Sequence, residues 1–496
     1  MAATYAQAAF VANTEKAGIP AVELGFSDQE AQYKQIGLTF GEPNIRWVTV
    51  PRTGLGSERV LQYWDAMIAA LTDPLTDKEK ETGMYFPPPD PRIAFNGTLR
   101  DAQAFFQRVM PVSVCKNCPI ALWTDGLPIV IPTEERVARM CTGTSHSPEE
   151  YIAYEQAGTV RFSSSGLRME VEAGDPVYIL PMMWGTTIEK VAVNCVMAGC
   201  EPSALPIILA AFSTNSAFVT TNCPAAYYLQ LSGPIVKEVG LNVKDPYQVG
   251  IPANMSIGRA YNMVFYNIGG ATQGSANTNL GNPTNRTGVA IGEDLDSLPP
   301  GWEPDNVMAG AEPNESVVRI YANVFSSGGW VTSNFSPQAF KDMNQGKGPI
   351  ARYLGVEGMP GAYNILEYLI PSLVGAQGPQ GGMDACILSP DIAMSLYNYG
   401  FDSKAAVNNW LADELYMSAG LYRQYGWYDF STGGGTRAIR GVDNPEGYTY
   451  GNAPDDFLIN IYSRGFRNII VSNSVGEPCI MFYGGSNSVR MIDPWR

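Results

Sequence analysis

The chain has 496 residues, 45% of them apolar and only 16% charged, so two or three domains are expected, with part of the exterior covered by other subunits. Forty-eight Asp and Glu against 32 Lys and Arg give a formal charge of −16, which argues against nucleic-acid binding and against an anionic membrane surface. The opening MAATYAQAAFVANTEK has no basic stretch before an apolar run, and eight cysteines in so long a chain are no disulfide framework, so a reducing cytoplasm is expected.

In chain order, a first helix ends at Gly18, a short strand covers 19–24, and Ser27-Asp-Gln-Glu30 is a capping box that opens a second helix. NIRWVTV (44–50) reads as a strand and 58–71 as a helix. Strand and helix alternating through short links imply a parallel sheet. PPPDPR (87–92) is a linker or rigid turn. Thr133 caps a helix over 134–140. Ser147-Pro148-Glu149-Glu150 is a further capping box and predicts a helix over 151–156. Thr186 or Thr187 opens 188–198, which Gly199 stops.

Residues 202–236 carry no charge, yet their most apolar run, 204–212, is too short for a bilayer and reads as buried core or interface. Asn254 is expected to cap 255–268, and 271–288 is a long Gly/Asn/Thr loop. From Ser316 onward the pattern is again α/β, with a strand at 385–388, helices capped by Ser389 and near Ser403, and strands at 457–461 and 468–471. The expected fold is therefore α/β and multi-domain, with mostly parallel sheets flanked by helices. Its divisions are 1–110, 111–312 and 313–496.

Four strings, WTDGLPIVIPTEERV (123–137), EKVAVNCVMAGCEPSALPIILAA (189–211), NMSIGRAYNMVFYNIGGA (254–271) and ILSPDIA (387–393), resemble a bacterial family named for its UGSC motif. The opening GIPAVELGFSDQEAQY and PNIRWVTVP resemble that family's N-terminal domain. The family's motif, Sec or Cys followed by Gly-Ser-Cys, is absent here. The resemblance thus implies a fold and an enzyme-like context, with the reactive site elsewhere in the chain or on a partner chain.

Several residues could carry chemistry. His146 is the one histidine, so any Ser–His or Cys–His catalysis would need it, although a loop histidine ahead of a helix cap is the plainer reading. Cys115-Lys-Asn-Cys118 could be a redox pair, two ligands of one metal ion, or two buried thiols in a turn. Cys195 falls on an apolar helix face and reads as core, whereas Cys200, past the cap glycine, is freer to act as a ligand. Cys223, before Pro224 in the uncharged stretch, is a candidate nucleophile. Thiolates suit zinc, cobalt, iron or copper, which would act as a Lewis acid toward water or a small unsaturated group. Nitrile hydratases use a cysteine cluster in this way, by analogy only, since their tight spacing is absent.

Asn254 and Arg259 stand near a helix start that could receive an anion, although a cap and a loop explain that segment as well. Asp125 and Glu189 are possible acid/base groups, and equally a turn residue and a helix-start residue. These features predict a cytoplasmic, homo- or hetero-oligomeric enzyme that acts on a small uncharged molecule by hydration, hydrolysis or elimination at a thiolate-based, metal-assisted site. The rivals are a thiol–disulfide reductase and a non-catalytic subunit of a heteromeric enzyme.

Overall fold

The computed structural model describes residues 4–26, 30–50, 61–83, 92–112, 115–161, 168–179, 184–214, 226–246, 250–270, 288–323, 331–334, 383–398, 400–414, 416–424, 439, 443–460, 468–475, 479–484 and 487–496, some of them by backbone alone. The chain divides into two compact units. One comprises 1–227, 255–289 and 494–496, and the other 228–254 and 290–493.

In the first unit the N-terminal order is helix Thr4–Lys16, strand Glu23–Phe26, helix Glu30–Thr39 and strand Trp47–Val50. The two strands run parallel, with Glu23 opposite Trp47 and Phe26 opposite Val50. Arg46 fastens the next segment to them. Its five N–H groups bond to Glu79 (two), Ala70 O, Asp73 O and Pro74 O. A guanidinium spent in this way has no donor left for a ligand.

The middle of this unit follows local rules closely. Thr133 caps Glu134–Cys141 by accepting from Arg136 N, and Thr187 caps Ile188–Ala198 by accepting from Lys190 N. Gly199 ends the second helix at φ +86°, a conformation that costs glycine nothing. Helix Leu205–Phe212 buries all eight of its residues, which is why the uncharged stretch is apolar. At roughly 1.5–3 kcal/mol for each large apolar side chain, it is a main source of the unit's core energy. Among the described residues, no helix is long and apolar enough to cross a membrane.

Two expectations fail. First, the sheets are mixed and antiparallel rather than mostly parallel. The second unit carries two four-stranded sheets. In one the strands lie in the order Asn487–Met491, Val317–Asn323, Ala226–Ser232, Val289–Gly292, and its first pair is antiparallel. In the other the order is Val331–Asn334, Cys479–Gly484, Met383–Leu388, Asn468–Val471, with two antiparallel pairs and one parallel. The two-stranded ribbons Val109–Val112/Cys115–Ala121, Gly158–Arg161/Arg168–Val171 and Tyr416–Ser418/Leu458–Asn460 are antiparallel as well. Strand–helix alternation suggests crossover units, but Cys479–Gly484 and Asn487–Met491 return beside earlier strands in the opposite sense.

Second, 151–156 is not helical: 151–154 is extended and the chain bends at 155–156. Ile152 N bonds to Thr186 O and Tyr154 N to Asp175 O, and both side chains are buried while Tyr151 is exposed, the period-two pattern of a strand. The capping box is also broken up, because Glu150 reaches His146 and the Ser147 hydroxyl bonds to Glu149.

Candidate functional site

At 3.6 residues per turn, Gly258, Arg259, Asn262 and Tyr266 fall within about 100° of arc on helix Pro252–Asn267. A Cβ on Gly258 would lie 2.3 Å from Val289 N, so only glycine lets the backbone at 288–289 lie across the helix there. A Cβ on Gly288 would lie 2.9 Å from Asn262 Nδ2, which places the Asn262 amide beside this crossing. Asn262 is 5% exposed, and neither its Oδ1 nor its Nδ2 has a hydrogen-bond partner among the described residues. A buried carboxamide left with both ends open is uncommon, because each unmet group costs roughly 1–3 kcal/mol.

Next to it, Arg259 grips Asp125 with two bonds, Nε to Oδ2 at 2.7 Å and Nη2 to Oδ1 at 2.8 Å. Nη2 also donates to Pro128 O at 2.9 Å, and Leu127 N donates to Asp125 Oδ1 at 3.1 Å. The residues whose sequence context suggests an acid/base group and an anion binder are thus joined in one neutral, largely buried pair that fixes the 125–128 turn. Tyr266 stands close by. Burial first, then the Asp125 charge, pushes its phenol above the ordinary value, so it remains a hydrogen-bond donor. On the same helix Asn267 donates to Asn194 at 2.7 Å, and Asn194 donates to Lys190 O, which ties this helix to 188–198.

The other predicted residues lie apart. His146 Nδ1 is 3.0 Å from Glu150, its Nε2 is 3.0 Å from Pro494 O, and its ring stacks on Trp495. Both nitrogens face acceptors, so the ring is a clasp on the C-terminal residues. Burial opposes its charge, but the Pro494 and Glu150 bonds outweigh that and raise its pKa. Glu189 is bonded through both oxygens to Arg92, which also holds Glu134, in an exposed ion network. Asn254 is not a cap but lies inside the first turn. Its amide is fully used, accepting from Asn242 N and donating to Asn242 O and Ala290 O.

Cys200 and Cys195 are both buried, and the neighbouring Cys200 thiol first, then burial, drives the Cys195 pKa up. Cys115 and Cys118 fall in a strand described by backbone only, and Cys223 lies outside the described residues. Among the described residues no three His, Cys, Asp or Glu side chains converge as a metal site.

Two features escaped the sequence reading. In the second unit, Lys404 Nζ meets Glu293 Oε1 at 2.5 Å with both side chains essentially inaccessible, and Arg319 Nε meets Asp305 Oδ2 at 2.7 Å. Glu293 Oε2 also accepts from Ser232 and Asp305 N, and Asp305 accepts from Gln230. Nearly every atom of this network is satisfied, as a structural framework requires.

In the first unit, a cleft of about 640 Å³ is lined by Glu15, Lys16, Glu42, Asn44 and Arg46 among others. Burial raises the Glu42 carboxyl against the pull of Lys16, and nearby Glu23 is pushed up by burial to about 7. Arg46, the guanidinium in this lining, is saturated and has no donor left for a ligand.

The chain matches no family model, no curated protein and no solved structure.

Proposed function

We propose that the protein is an enzyme, or the subunit of one, that binds a small neutral molecule against the Asn262–Tyr266 face of helix 252–267, with the Asp125–Arg259 pair as its rigid wall. The observation that carries this reading is the open, buried carboxamide of Asn262. It offers one acceptor and two donors, so its best complement presents a donor and an acceptor on neighbouring atoms, as a carboxamide does. A carboxylate would satisfy Nδ2 only and would set an acceptor against Oδ1. Arg259 adds no net attraction for an anion because Asp125 neutralises it.

Tyr266 supplies a phenolic donor from one helical turn further on. A small amide is the product of hydrating a nitrile and the substrate of an amide hydrolase. The reaction class suggested by the sequence, addition or removal of water, is therefore compatible with the donors and acceptor offered by Asn262 and Tyr266. The resemblance to the UGSC family supports an enzyme-like setting. Cys115, Cys118 and Cys223 remain the proposed reactive thiols or metal ligands, and the binding proposed at Asn262 does not depend on them.

The test is saturation-transfer NMR with small carboxamides, nitriles and carboxylates on the full chain, together with an assay for ammonia or amide release. Carboxamide contact that Asn262→Leu abolishes is expected. Equal contact by carboxylates, or contact that survives the substitution, would refute the assignment. Elemental analysis with a reactive-thiol count tests the metal component separately.

A further inference from the structure

The end of helix Ile188–Ala198 is closed by two backbone bonds, Gly199 N to Val196 O at 2.9 Å and Cys200 N to Cys195 O at 3.0 Å. With Gly199 left-handed, this is a Schellman closure, in which the first residue past the glycine packs against the residue five earlier. That contact is usually apolar, but here both members are cysteine. The fold thus brings the two cysteines together by local geometry alone. The Cys200 N to Cys195 O bond also keeps the two Cα atoms within about 7 Å, the outer limit that a disulfide spans. The segment between them has only four residues, so closing it costs little entropy.

We propose that Cys195 and Cys200 form a reversible disulfide across the helix end, with a low-molecular-weight disulfide as oxidant. Cys200, 8% exposed where Cys195 is fully enclosed, reacts first. Its sulfur attacks one sulfur of R–S–S–R, giving a mixed disulfide and releasing R–SH, which takes up the Cys200 proton. The Cys195 sulfur then displaces the second R–SH, which carries off the Cys195 proton. Two protein thiols are oxidised by two electrons in total, and one R–S–S–R is reduced to two R–SH.

Cys141, which ends the neighbouring helix Glu134–Cys141, is the internal competitor, because it acts electrostatically on Cys195. No backbone hydrogen bond holds it against Cys195 as one holds Cys200, so it should stay reduced.

The experiment incubates the reduced full-length protein with glutathione disulfide, alkylates it under denaturing conditions and maps the peptides without reduction. A Cys195–Cys200 linkage that dithiothreitol reverses, lighter by two hydrogens, is expected as the main product. In Cys200→Ser, Cys195 should then remain a free thiol, since the residue that initiates is gone. A Cys141–Cys195 linkage, or Cys195 and Cys200 both still reduced after other cysteines have oxidised, would overturn the proposal. So would oxidation of Cys195 to the same extent in Cys200→Ser.

Discussion

Replacing Lys404 by Met removes the cation from a pair whose side chains are 1% and 0% exposed. Glu293 keeps the Ser232 hydroxyl at 2.6 Å and Asp305 N at 2.7 Å on one oxygen, but the other oxygen, 2.5 Å from Lys404 Nζ, is left bare. A buried carboxylate stripped of its counter-ion costs about 3–5 kcal/mol, a large share of the 5–15 kcal/mol that a folded protein holds in total. Most of that cost arises from the uncompensated charge and not from lost attraction. Lys404→Met combined with Glu293→Gln should therefore recover at least half of it. Urea unfolding is the assay, with the loss read as a lower midpoint at unchanged slope. Amide exchange in helix Lys404–Glu414 reports the same event locally. A Lys404→Met cost below about 1 kcal/mol, or a double variant no better than the single one, would refute this reasoning.

Other consequences follow from individual groups. His146, its pKa raised by Pro494 and Glu150 against burial, contributes stability that is complete below its unfolded value of about 6.5 and is lost as pH rises through the folded pKa. His146→Phe should remove this pH dependence, as followed by Tm between pH 5 and 9. Glu23, lifted to about 7 by burial, binds a proton in the folded chain that the unfolded chain has released. Stability should fall as pH rises from about 4.3 to 7, and Glu23→Gln should flatten that slope in a urea series. Asn262→Leu, close in volume and free of unmet polar atoms, should stabilise the chain by about 1–3 kcal/mol in chemical denaturation. Arg259→Lys cannot reproduce the two-point grip on Asp125 and should lower Tm, with faster amide exchange at 125–128.

The sequence disclosed what a few neighbouring residues decide. The caps at Thr133 and Thr187 and the stop at Gly199 are local hydrogen-bonding and φ preferences, and they lie where the pattern places them. Sheet sense was beyond reach, because pairing is decided between distant segments. Strand Cys479–Gly484 enters between Val331–Asn334 and Met383–Leu388, and nothing in its own residues announces an antiparallel return.

The same holds for the site. Asp125 was legible as an acid/base or turn residue and Arg259 as a possible anion binder, but their pairing across 134 positions was not. Asn262 and Tyr266 carried a usable signal, three and seven residues beyond Arg259, which is one face of a helix. A capping box misled at 147–150 because its last glutamate had a better partner in His146.

The most direct test of the proposed site is a paired thermal titration of the wild-type chain and Asn262→Leu with propionamide. The wild-type Tm should climb with amide concentration, whereas the variant should start higher and not respond. A wild-type Tm indifferent to the amide, or a variant that rises in parallel with it, would contradict the assignment of Asn262 as the ligand-binding group.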